Sequence, residues 1–142
     1  MAWALIAAAL IPGCRKTPPP IVEVEGIVRL DGVPLNKAEV RFIPIVEFGA
    51  SHVARGTTDE AGRFKLTCNG RAGACLGENR VIVVEGELPA RVKGENAQAE
   101  LEVYRRSLGG RPLPERYGNL VDSPLTANVQ ADQKEYTFEL TR

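Results

Sequence analysis

Histidine is almost missing from this chain, with His52 the only one among 142 residues. A histidine-rich metal centre or a triad that needs a well-supported imidazole therefore has little material to draw on. Cysteine is scarce too, and its three copies never form Cys-x-x-Cys, which removes the thioredoxin-type redox motif. A four-ligand zinc site would have to borrow carboxylates. The acidic turn at Asp59-Glu60 falls short of the six or more oxygens that a calcium site gathers. Aromatic residues make up 6% of the chain, and the single Trp3 lies in the first few residues, so a stacking platform for sugars or bases is poorly supplied. Excess charge of either sign is absent as well. Lys plus Arg equals Asp plus Glu at 18 each, so no overall field favours nucleic acid. These shortages lead us to expect no catalytic residues, no metal, no cofactor and no nucleic-acid partner.

What is present is alternation. Val22, Val24, Val28 and Leu30 share one parity of an extended chain, and Glu23, Glu25 and Arg29 share the other, with Ile27 the one apolar residue facing outward. A period of two marks half-buried strands. Asp31-Gly32 supplies the positive dihedrals of a tight reversal, with Pro34 fixing an angle just beyond, and Ala38, Val40 and Phe42 resume the inward parity. A third strand over His52–Thr58 leads to a second reversal at Asp59-Glu60-Ala61-Gly62, which returns Phe64 and Leu66 to the core and leaves Lys65 pointing out. The run Val81-Ile82-Val83-Val84 reads as a strand covered on both faces. Pro124–Val129 and the alternating Tyr136, Phe138 and Leu140 complete the set. The prediction is an all-β fold, a seven-stranded antiparallel β-sandwich forming one domain over 21–142.

One segment breaks the period. Ala97, Leu101, Tyr104 and Leu108 recur at helical spacing, Glu95 stands where a helix start favours negative charge, Glu102 and Arg106 make an i,i+4 pair, and Gly109-Gly110 can stop the helix. This predicts one short inserted helix, the rival being a long charged loop. In the proline-punctuated loop that follows, Tyr117 is expected to pack with its hydroxyl satisfied.

The N-terminal residues read as an address. Residues 1–11 are almost wholly apolar, the length of a signal-peptide core and short of the ~20 residues that span a membrane. Leu10-Ile11-Pro12-Gly13-Cys14 resembles a bacterial lipobox, which implies a signal peptide over 1–13 and a diacylglyceryl group on Cys14. The same letters admit an ordinary signal peptide followed by a free cysteine. Arg15 to Pro20, with three consecutive prolines, reads as a short stiff tether. The expected location is the cell envelope, with the membrane as partner through the lipid. In that compartment Cys68 and Cys75 remain as an even pair able to bridge the loop between them, which would contribute about 2.5 kcal/mol by the chain-entropy argument. Free or metal-binding thiols are the rival.

The succession Val24, Gly26, Val28, Leu30, Asp31, Gly32, Pro34, Leu35, Ala38, Val40, Phe42, Pro44, and then Thr58, Asp59, Gly62, Phe64 and Leu66, resembles the carboxypeptidase regulatory-like, or transthyretin-like, β-sandwich domain. Arg116-Tyr117 and Ser123-Pro124-Leu125 are similar to the later loop and strand start of small bacterial lipoproteins built from this domain. The resemblance implies a fold. It implies little about activity, because the matching letters are turn formers and core positions. Two enzymatic relatives of the sandwich do not fit: hydroxyisourate hydrolases carry several histidines and end in Tyr-Arg-Gly-Ser, and intradiol dioxygenases bind iron with two tyrosines and two histidines. This chain has only His52, expected as an exposed strand-end residue, and ends Phe138-Glu139-Leu140-Thr141-Arg142. The expected function is that of a lipid-anchored structural or protein-interaction module meeting an envelope protein through a sheet edge or through 87–113, the alternative being a binding domain for a small molecule or glycan.

Overall fold

Strands form where alternation places them. In the computed structural model, which describes residues 18–46 and 49–142, twelve strands appear in order: β1 (Ile21–Val22), β2 (Glu25–Leu30), β3 (Val33–Pro34), β4 (Ala38–Pro44), β5 (Ala54–Thr57), β6 (Arg63–Lys65), β7 (Thr67–Cys68), β8 (Arg71–Ala72), β9 (Ala74–Cys75), β10 (Gly77–Glu85), β11 (Thr126–Val129) and β12 (Glu135–Leu140). Seven of these are three residues or longer and lie where the sequence predicts strands. The other five are two-residue pieces. A helix α1 (Ala97–Leu108) stands between β10 and β11, preceded by a 3-10 turn at Gly94–Asn96. Its predicted stripe is the packed one: Tyr104 is buried, while Ala97, Leu101 and Leu108 are half-buried.

The principal sheet runs β11-β10-β4-β5-β7-β8. A second sheet has β2 at its centre, flanked by β12 on one side and by β3 and β6 on the other. Phe42 of the first sheet meets Phe64, Tyr136 and Phe138 of the second at centroid distances of 6.3, 6.1 and 5.8 Å, so the two apolar faces interdigitate. Val28, Val40, Phe42 and Val81 are fully buried there, each side chain contributing about 1.5–3 kcal/mol of transfer free energy. Gly26 is required because a Cβ at its position would lie 2.0 Å from the Tyr136 carbonyl oxygen and 2.8 Å from the Phe64 ring. The predicted turns are in place. Asp31 and Gly32 adopt φ of 50° and 80°, and Asp59 Oδ1 accepts hydrogen bonds from the backbone N–H of Ala61 and Arg63, both at 2.9 Å.

Two expectations are corrected. First, the sheets are not wholly antiparallel, since β12 runs parallel to β2 from Glu135↔Glu25 to Leu140↔Leu30. The reason is where β12 enters: the N–H of Glu25 donates to the Lys134 carbonyl at 2.9 Å, so both strands start at the same end of the sandwich. Second, the Cys68–Cys75 segment is not an open loop. Asn69 and Gly70 at φ of 51° and 77° turn β7 into β8 as a tight hairpin, and β9 then pairs with β1, Ile21 opposite Cys75 and Val22 opposite Ala74.

Candidate functional site

Strand β10 sets the long dimension of the domain. At its start the N–H of Leu76 donates to the Pro20 carbonyl at 2.9 Å, beside the pairing of β1 with β9, so the segment leading from the N-terminus arrives at this end. At its finish the N–H of Gly86 donates to the Lys37 carbonyl at 3.1 Å, and the chain leaves into 87–113. Nine extended residues separate these points, roughly 30 Å at the rise of a β-strand. The inserted helix and the first described strand, β1, thus belong to opposite ends of one sandwich.

The insertion is held at its return by Arg111. This guanidinium is 3% exposed, donates from Nε to Glu85 Oε2 at 2.9 Å, and donates from Nη2 to the Asn36 carbonyl. A buried charge with fixed acceptors from two elements is a clamp, because moving it away would take the donor from both the Glu85 carboxylate and the Asn36 carbonyl. Outward from the clamp the surface is mixed: Val103 is 62% exposed, Leu88 is 46% exposed, and Arg91 lies 6.0 Å from the Tyr104 ring centroid. Lys37, Thr57, Glu87, Leu88, Pro89 and Tyr104 line an open groove of about 380 Å³ between the insertion and the body.

A second clamp closes the end of β12. Tyr117 packs as predicted. Its hydroxyl accepts from the Thr141 N–H at 2.9 Å and donates to the Thr141 carbonyl at 3.1 Å, while Arg116 Nη2 donates to it at 3.0 Å. Burial pushes this phenol up, but the Thr141 and Arg116 contacts outweigh it and the net shift is downward.

At the opposite end lie the two described cysteines. The predicted bridge between Cys68 and Cys75 is not formed in this structure, which holds them as free, buried thiols near enough to shift each other's ionisation. Two short strands hold them separately, Cys68 on β7 and Cys75 on β9, so their contact is made by side chains rather than by one backbone ladder. Burial pushes both thiols above their ordinary range. The contact with Cys75 and the charge of Arg71 draw Cys68 part of the way back, whereas the neighbouring Cys68 adds to the rise at Cys75. Fully buried Asn79 fixes this corner, donating from Nδ2 to the carbonyls of Cys75 and Gly77 at 3.0 Å. The backbone at Gly73 allows the approach of β1, since a Cβ there would sit 1.8 Å from the Val22 carbonyl oxygen.

Other sequence expectations divide. Cys14, with its proposed lipid, lies outside the described residues. His52 is half-buried rather than exposed, because the 3-10 turn at Gly49–Ser51 folds beside it, and its Nδ1 stands 2.9 Å from the Ser51 hydroxyl. Among the described residues no group of three His, Cys, Asp or Glu side chains is arranged to hold a metal ion. No helix among them is long and apolar enough to cross a membrane. Arg111 and Asn79 were not singled out by the sequence: the one is a charge, the other an amide, and only long-range folding buries them. No family model, curated protein or solved structure matches this chain.

Proposed function

We propose that this chain is a non-enzymatic, lipid-anchored protein of the cell envelope, attached through Cys14, whose 21–142 domain is a seven-stranded sandwich of the carboxypeptidase regulatory-like kind. It presents 87–113 to an envelope protein and needs no cofactor. The observation that supports this reading is the separation along β10 of the N-terminal attachment from the inserted helix: a tethered domain of this form carries its most distinctive surface about 30 Å from its anchor. In the oxidising envelope the adjacent Cys68 and Cys75 close a disulfide by exchange with the disulfide of an oxidoreductase, two protein thiols giving one bridge while the oxidoreductase is reduced to its dithiol.

A capture experiment from envelope extracts tests the reading, comparing the full chain, the chain lacking 87–113, and Val103→Glu, which alters the exposed face of α1 without touching its packed stripe. One envelope protein captured by the full chain and lost from both variants is the expected result. Equal capture by all three contradicts it. His52→Ala is expected to leave any envelope phenotype unchanged. A phenotype in that folded variant would bring an enzymatic role forward. One observation favours the second reading, a small-molecule or glycan site: an open groove of about 530 Å³ lined by Glu25, Thr57, Asp59, Arg63, Phe64 and Lys65, which offers both charges to a polar ligand.

A further inference from the structure

Among the described residues the last strand, β12, is paired on one side only. In the parallel ladder with β2, the carbonyls of Lys134 and Leu140 accept from the N–H groups of Glu25 and Asp31 at 2.9 and 2.8 Å. Successive residues of a strand turn their backbone groups to opposite sides, so Tyr136 and Phe138 bond toward β2 in the same way. The N–H and C=O groups of Glu135, Thr137 and Glu139 must then face the other side. Among the described residues no strand pairs there. The free side is closed at its far end, where the Tyr117 hydroxyl takes the Thr141 N–H. Three exposed residues remain with their backbone groups turned outward, and of these groups the Glu135 carbonyl accepts from Gln133 Nε2 at 3.2 Å. Of the two edge strands of the principal sheet, β8 has only two residues, and β11 offers only Thr126 and Asn128 by the same parity, because the N–H of Val81 donates to the Leu125 carbonyl and Ala127 and Val129 are turned like Leu125.

The side chains on this edge define what can pair with it. Glu135, Thr137 and Glu139 project on the outer face, and the register sets Glu135 directly beside Glu25, whose other neighbour in the row is Lys65, so Glu135 is the carboxylate at the end of the row with no cation beyond it. Like charges side by side on a sheet repel, and a cation added beyond Glu135 relieves them. Glu139 is already met by Arg29 at 2.5 Å from within the sheet. A second copy of β12 is a poor occupant: the antiparallel self-pair that uses all three residues, centred on Thr137, sets each Glu135 against a Glu139. We infer that β12 is a docking edge for an extended segment of another protein, one with basic residues four apart around a central β-branched residue. Paired antiparallel, that segment would place a basic side chain beside each glutamate and continue the second sheet by one strand. This deepens the reading of an interaction module by naming a second, separate surface on it.

The probe is a seven-residue peptide, Val-Lys-Val-Thr-Val-Lys-Val, titrated into the full chain while backbone amide resonances are followed. Its control carries Glu in place of both Lys. The expected result is saturable binding that shifts the amides of Glu135, Thr137 and Glu139, weakened at least about tenfold in the control. Thr137→Pro removes one outward N–H and no N–H that bonds to β2, so it is expected to abolish binding in a folded protein. Amide exchange of the unmodified chain supplies a readout that needs no variant: Glu135, Thr137 and Glu139 are expected to exchange at least about 100-fold faster than Tyr136 and Phe138. No binding, equal binding of both peptides, binding unaffected by Thr137→Pro in a folded protein, or equal protection along β12 would each overturn the inference. Because the variants that test 87–113 leave β12 intact, failure of one surface is distinguishable from failure of the other.

Discussion

The two ends of the sandwich are fastened in different ways. At the N-terminal end, two-residue β1 is held by backbone pairing to β9 and by the Leu76–Pro20 hydrogen bond, above two small, buried, apolar thiols. At the other end, side chains from distant parts of the sequence provide the fastening: Arg111 on Glu85 and Asn36, and Tyr117 with Arg116 on Thr141. Backbone pairing suits an end that has only to receive a strand. Clamps built from long polar side chains suit an end that carries a 27-residue excursion, 87–113, because each fixes a return point of a segment with few apolar contacts of its own. The difference places the 87–113 excursion at the clamped end and the thiol pair at the other.

Substitutions separate the two ends by the size of their effects. Phe64→Ala strikes the core that both ends share. A cavity against Phe42 and Phe138 is expected to cost about 3–5 kcal/mol, read as a shift in the denaturant midpoint. Arg111→Met is aimed at the clamped end alone. It leaves Glu85 without its guanidinium and is expected to cost about 2–4 kcal/mol while raising amide exchange in 87–113 more than in β1. Arg111→Lys should rescue little, since one ammonium cannot serve Glu85 and Asn36 in the fork geometry.

At the N-terminal end, oxidation of Cys68 and Cys75 should add about 2.5 kcal/mol, measured as the difference between oxidised and reduced protein in the same denaturant series. The pH dependence follows from the direction of the thiol shifts. Burial raises both above their unfolded value, so the folded state keeps its protons longer than the unfolded state as pH rises. The reduced protein should therefore lose stability as pH climbs through and above the ordinary thiol range, and the oxidised protein should not. An identical decline in both forms would show that the thiols are not the cause. The smallest expected effect is that of Tyr117→Phe, about 1–2 kcal/mol, because it leaves the Thr141 N–H and the Arg116 guanidinium without the hydroxyl but keeps the packed ring.

Much of this architecture was legible in the residues, for a local reason. Alternation and turn chemistry act within a few positions, so Val28, Phe42, Phe64 and Phe138 could be assigned to the core, Asp31-Gly32 and Asp59–Gly62 to turns, and Ala97, Leu101, Tyr104 and Leu108 to the packed face of a helix. The Asn69-Gly70 hairpin is equally local, a pair suited to positive φ, although the cysteines on either side suggest a loop. What could not be read depends on pairing across the chain. The parallel register of β12 on β2 joins residues 110 apart, as Glu139 and Arg29 do. The burial of Arg111 depends on Glu85 and Asn36 converging on it. The open edge of β12 is likewise a property of register, since nothing in Glu-Tyr-Thr-Phe-Glu-Leu says on which side its partner lies.

The claim on which the account rests is that the end bearing 87–113 is the working face and the end bearing β1 is the attached one. A photoreactive side chain introduced in place of Val103, and separately in place of the exposed Arg71 beside the thiol pair, reports both faces in intact envelopes. A discrete protein adduct is expected from position 103, and from position 71 either lipid adducts or none. A protein adduct from position 71 with nothing from position 103 would contradict the claim.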